Sequence, residues 1–273
     1  MISTFQIAPS RTGGIATKGK IAAGLLLAFL LAVLTAGCQE IDPRTIYTQA
    51  QKKTTALTSG QQTLALTFTI DPEGENKVYT WEMDVAFVQN EENPGLDVRS
   101  MTTFPEKTFT SDSAYIDGRF YVNDNGTRYQ SEMEYTVMQQ RIGRVYPDLT
   151  LSVSQLKELT CEDTEEGKTF AFTVASKHVT VLTDFVMNQI LNFDTFVPTD
   201  ATTKTASGTA VVDDNNYISR LSLEIPCIVV QNQKEYEAVL EYTKELKVPE
   251  KEVSIQVENP ESYKQVTIWD LPW

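Results

Sequence analysis

One histidine and three cysteines among 273 residues leave little from which to build a metal site or an imidazole-driven nucleophile. A serine or cysteine hydrolase needs its histidine beside the nucleophile and an orienting carboxylate. No G-x-S-x-G or comparable setting occurs, and the lone His178 stands near the start of a helical pattern, where a surface position is expected. One histidine and two separated cysteines also give no zinc spacing. The acidic turns N-D-N-G (123–126) and D-D-N-N (213–216) lack the D-x-[DN]-x-[DN]-G loop and distal glutamate of a calcium site. Tight hairpins need those same residue types for positive φ. Basic residues are scarce too: 23 Lys and Arg face 37 Asp and Glu, for a formal net charge of −14. That surface is unsuited to nucleic acid or anionic headgroups. No cofactor, metal or catalytic residue is expected, and a glycosidase-like carboxylate pair has no recognisable setting.

What the chain does have begins at its N-terminus. Residues 1–20 carry Arg11, Lys18 and Lys20 and no acid, and 21–37 form an uncharged apolar run ending in small residues. This order is that of a secretory signal. The sequence L-T-A-G-C at 34–38 resembles the lipobox of bacterial lipoproteins, with Thr35 where leucine is commonest in that family. The resemblance implies cleavage before Cys38 and diacylglyceryl modification of its thiol. Two or more acyl chains hold a protein stably on a bilayer. Cys38 is thus the expected lipidation site, and the protein is expected on the outer face of the cell membrane (the outer membrane in a Gram-negative cell). Removal of 1–37 leaves 236 residues, with 20 basic against 37 acidic side chains. No repeat or long linker divides them, so 38–273 reads as one domain with 38–41 as a tether.

Period-two alternation dominates this domain. Leu64, Leu66, Phe68 and Ile70 share one face, as do Tyr79, Trp81, Met83, Val85 and Phe87. The pattern returns at Phe170, Phe172 and Val174, at Leu221 to Val229, and at Tyr236 to Tyr242. Turn clusters such as Asp117-Gly118 and Asn125-Gly126 separate the strands. Such strands suit an antiparallel sheet covered on one side. Helical spacing occurs over 42–57, 132–146 and 176–193, the last placing Val179, Leu182, Phe185, Val186, Ile190 and Phe193 in one stripe. Cys161 and Cys227 fall in strand-like stretches, where a bridge or two apolar fillers are both open.

The order helix, strands, helix, strands, helix, strands resembles the half-open barrel of LolA, LolB, LppX, LprG and RseB. The likeness includes A-L-T-S-G-Q-Q-T-L-A-L-T-F, running from helix into first strand, and the hairpin A-Y-I-D-G-R-F-Y-V-N-D-N-G. The expected fold class is therefore α+β: a strongly curved antiparallel sheet of about nine strands, a half-barrel, wrapped around about three α-helices. The resemblance implies binding of a lipid or a partner and no catalysis. An apolar cavity is expected among Leu66, Phe68, Trp81, Met83, Phe87, Phe170, Phe172, Phe185, Val186 and Ile190. Two functions remain open at this point. One is a carrier or scavenger of a lipid or other apolar ligand. The other is a non-catalytic module docking on an envelope enzyme, sensor or transporter. The closing segment P-E-S-Y-K-Q-V-T-I-W-D-L-P-W is expected along a sheet edge rather than in a cavity mouth.

Overall fold

The computed structural model describes residues 42–89, 94–191, 196–249 and 253–271, the side chains of 143–145 excepted. The signal segment 1–37, Cys38 and the tether 38–41 lie outside the described residues, as do Phe193 and Trp273. From Pro43 onward the chain is one compact unit carrying the two hydrophobic clusters found among the described residues.

Among the described residues the alternating segments build a single curved sheet of thirteen strands. A first meander runs β1 (Ser59–Ile70), β2 (Lys77–Val88), β3 (Gly95–Thr103), β4 (Thr108–Ile116), β5 (Arg119–Asp124) and β6 (Thr127–Glu132). Type I′-like turns at Asp117-Gly118 (φ 51° and 73°) and Asn125-Gly126 (φ 46° and 90°) close two of its hairpins. A second array holds β7 (Leu156–Thr164), β8 (Gly167–Val174), β10 (Ala206–Val212), β11 (Ile218–Gln231) and β12 (Lys234–Lys247). The two halves meet where β1 pairs with β12, from Gln61↔Lys247 to Ile70↔Ala238. Short β9 (Asp200–Thr203) continues the line of β10 along β11. Pro226 sits at the break between β9 and β10. Its carbonyl accepts from Lys204 N–H at 2.9 Å, and its missing donor faces the same gap, where no ladder demands it.

The expected α+β half-barrel wrapped around about three helices is not what forms. The sheet is most of the molecule, it is mixed because β13 (Lys264–Gln265) runs parallel to β6, and the helices are few and short. They are α1 (Pro43–Thr55), α2 (Tyr135–Val145) and α3 (Thr180–Phe185). Two physical causes account for the difference. First, 95–116 has little apolar alternation yet pairs anyway, because neighbouring strands offer open edges and backbone groups must be satisfied. Second, the stretch expected to be the best helix is rich in β-branched residues, which disfavour helix. It divides into a 3₁₀ turn (Ser176–His178), the six residues of α3, and a π turn (Val186–Ile190). Its stripe is nevertheless buried at Val179, Leu182, Phe185, Val186 and Ile190.

One transverse row shows how the core side is filled. Trp81, Leu66, Tyr242, Leu223, Gly208 and Phe172 stand in register across β2, β1, β12, β11, β10 and β8. Gly208 is bare because a Cβ there would lie 2.5 Å from Leu223 Cδ2 and 2.7 Å from Phe172 Cε2. Along the far edge the closing segment lies on β6, as expected. Val266 N–H donates to the Gln130 carbonyl (2.9 Å), Arg128 to Ser262 Oγ (2.8 Å), and Leu271 enters the smaller cluster.

Candidate functional site: a cavity lined by serine and threonine

Register explains where space is left. Met83 opposes Ser100, Ser100 opposes Ser111, and Ser111 opposes Asp124; one row along, Val98 opposes Ser113 and Ser113 opposes Val122. Large side chains on β2 and β5 thus flank short hydroxyl-bearing ones on β3 and β4. Close packing needs volume that serine and threonine do not supply. A cavity of about 510 Å³ opens there, between the two hydrophobic clusters. That size falls among small-molecule sites.

Its inner end is apolar. Val98, Phe120 and Val122 are buried on the floor, Ile142 of α2 borders it, and Trp81 meets Phe185 edge-to-face with centroids 5.0 Å apart. Phe185 ends α3 and Gln189 lies in the π turn that follows, an irregularity often found at functional sites. The outer end carries Phe109, which is 40% exposed, with Asn125 and Gln189 also open to solvent. Phe104 and Phe109 pack edge-to-face at 5.7 Å, and Lys107 Nζ lies 5.1 and 5.2 Å from their centroids.

The polar lining is only partly satisfied. Ser100 Oγ donates to the Ser111 carbonyl at 3.2 Å. Asn125 Nδ2 donates to Asp124 Oδ1 at 3.0 Å, and Thr110 N–H donates to Asn125 Oδ1 at 3.3 Å, which fixes the Asn125 amide. The hydroxyls of Thr102, Ser111 and Ser113, and Oδ2 of Asp124, have no hydrogen-bond partner among the described residues. The cavity therefore offers a mainly apolar interior, with the Ser113 hydroxyl in the same row as Val98 and Val122, and further uncommitted polar atoms at Thr102, Ser111 and Asp124.

Of the residues expected to form a lumen, Trp81, Met83 and Phe185 line this cavity. Phe87 borders a separate space of about 220 Å³ beside Tyr47, Asp148 and Lys244. Leu66, Phe68, Phe170, Phe172, Val186 and Ile190 lie in the close-packed larger cluster. Reasoning from apolar alternation missed Ser100, Thr102, Ser111, Ser113 and Asp124. The signal that could have found them is a strand pair alternating with small hydroxyl residues, Val98-Ser100-Thr102 against Phe109-Ser111-Ser113-Tyr115.

The smaller space is a structural junction. Lys244 pairs with Asp148, Tyr146 OH donates to Gln62 Oε1 at 2.6 Å, and Leu149 N–H donates to Tyr242 OH at 3.4 Å. Burial pushes the phenol of Tyr47 up to about 12, and that of Tyr146 and Tyr242 further up, helped by the charge of Asp148. These three phenols are neutral. His178 Nδ1 sits 3.0 Å from Gln155 Nε2. Cys161 and Cys227 are free thiols, both raised by burial, so neither is an activated nucleophile.

No family model matches this chain, and no curated protein does. Solved structures give loose likenesses. The ywiB protein of Bacillus subtilis is 9% identical over 70% of this chain and 95% of its own, with a TM-score of 0.21. A DUF1329 family protein of Desulfovibrio piger is 8% identical over 73% and 90%, with a TM-score of 0.24. A LolA superfamily protein of Nitrosomonas europaea is 12% identical over 76% and 94%, with a TM-score of 0.20. Superpositions this loose decide nothing. The functional reading rests on the cavity.

Proposed function

We propose that this protein is an exported lipoprotein, anchored through Cys38, whose domain binds an apolar ligand and performs no chemistry. The observation that carries the binding reading is the cavity of about 510 Å³ on the core side of β2–β5, lined by apolar side chains with short hydroxyl-bearing ones among them. A protein that merely packed its own core would place large apolar residues at 100, 111 and 113. The anchor reading draws on the basic, apolar, small-residue order that ends at Cys38. Together they describe a membrane-tethered carrier or scavenger of lipid.

The test is native mass spectrometry of protein isolated from its own membranes, with solvent extraction of the same sample. The expected result is a stoichiometric lipid mass on the folded protein. Bare protein that also takes up no neutral apolar dye would overturn the carrier reading and leave docking on an envelope protein as the function.

A further inference from the structure

The polar atoms of the cavity are not evenly spread, and this bears on the kind of ligand, given the binding reading above. We propose that the site takes one single-chain amphiphile, chain inward. Its head lies at Asp124, and an uncharged or cationic hydrogen-bond donor is preferred there to a carboxylate or phosphate.

Volume limits the chain. A methylene fills roughly the 30 Å³ that a water molecule occupies in the liquid. About 510 Å³ then holds about 17 carbons, which is one long acyl or alkyl chain and not two. Burial sets the direction. Val98, Phe120 and Val122 are at most 5% exposed, whereas Phe109 and Asn125 are open to solvent, so the apolar end of a ligand points to the first three and its head to the last two.

Charge sets the head. Among the described residues Asp124 is the only ionisable one lining the space; Lys107, at the same end, is held over the Phe104 and Phe109 rings, whereas Asp124 Oδ2 is without a partner among the described residues while Oδ1 holds Asn125. An ionised carboxylate only accepts hydrogen bonds. A hydroxyl or ammonium head completes it, whereas a carboxylate or phosphate placed there meets like charge, on a chain that after removal of 1–37 carries 20 basic against 37 acidic side chains. Ser111, directly opposite Asp124 in the ladder, offers its uncommitted hydroxyl to the same head.

Three probes sharing one oleoyl or oleyl chain separate head from chain: monooleoylglycerol, oleylamine and oleate. Each is titrated at pH 8 against Nile red bound to the delipidated unit from Pro43 onward, which contains both hydrophobic clusters. The expected result is displacement by the first two at concentrations roughly tenfold or more below oleate, a gap of the size one nearby charge produces. Asp124→Asn, with Asp124→Ser as a second variant, should narrow the gap to about threefold or less. Glu224→Gln on the exposed side of β11 should leave it unchanged, which removes overall charge as the cause. Equal displacement by all three, or a gap that survives both Asp124 variants, overturns the head assignment and leaves the binding function standing. Displacement by a two-chain lipid at equal strength overturns the single-chain limit. No uptake of Nile red or of any probe overturns the proposed function itself.

Discussion

Filling the cavity from its own wall is the sharpest test of whether the space is real. Ser111→Leu suits the purpose, because Ser111 faces the cavity between Ser100 and Asp124 and its hydroxyl holds no partner among the described residues. The change adds about three carbons, worth roughly 0.8 kcal/mol each if fully buried. Ser111 is half-buried, so a net gain of about 1 kcal/mol is the expectation. For a unit of this size that raises the melting temperature by about 2–4 °C. The same three carbons take up about 90 Å³ at roughly 30 Å³ each. A ligand that filled the site then loses as many buried methylenes, which weakens its binding by roughly fiftyfold. Thermal melts of ligand-free protein and a parallel uptake titration read both effects. If the strands instead close over this space, an inserted leucine overpacks it and costs about 1–3 kcal/mol. A lower melting temperature with unaltered uptake would refute the cavity.

Phe172→Trp should behave in the opposite way, losing about 1–3 kcal/mol with little effect on uptake, because Phe172 already crowds Gly208; denaturant midpoints decide it. Stability should fall in alkali. Tyr47 has its phenol raised from 10.0 to about 12, so its contribution is complete below pH 10 and is lost as pH rises through 12, roughly 3 kcal/mol in all. Tyr146 and Tyr242, raised further, share that limb, so Tyr47→Phe should lower its slope by about a third in a pH series of melts, at a neutral-pH cost of about 1 kcal/mol for the lost bond to the Leu151 carbonyl. Cys38→Ser should leave an unprocessed precursor that incorporates no labelled fatty acid, whereas unlabelled wild-type protein of mature size would sink the anchor reading and keep export.

The sheet was legible where one face of a strand is uniformly large and apolar. Leu64 to Ile70 and Tyr79 to Phe87 alternate in sequence and are buried in the structure at every second position. The cavity was not legible by that rule, since its defining residues are short and polar. A search for apolar alternation passes over Ser100, Ser111 and Ser113 because they leave space instead of filling it. The helices were overestimated for a related reason. A 3.6-residue stripe records which side of a segment is buried, and the stripe from Val179 to Ile190 is correct in that respect. It does not record whether β-branched residues will hold an α turn, and here they hold only six residues of one.

The pairing of β1 with β12 carries a consequence for how the chain comes into being. Gln61 and Lys247 are ladder partners, so one side of the second-made element waits for nearly the last long one. Until residues 234–247 have been synthesised, the first meander ends in a bare edge whose inward face is Leu64, Leu66 and Phe68. Such an edge is a template for wrong pairing, and closing so long a loop is slow. Completion of the sheet is therefore a late event. A chain cut short before Lys234 should aggregate rather than yield a smaller stable domain, and under the proposed export this exposed interval falls on the far side of the membrane.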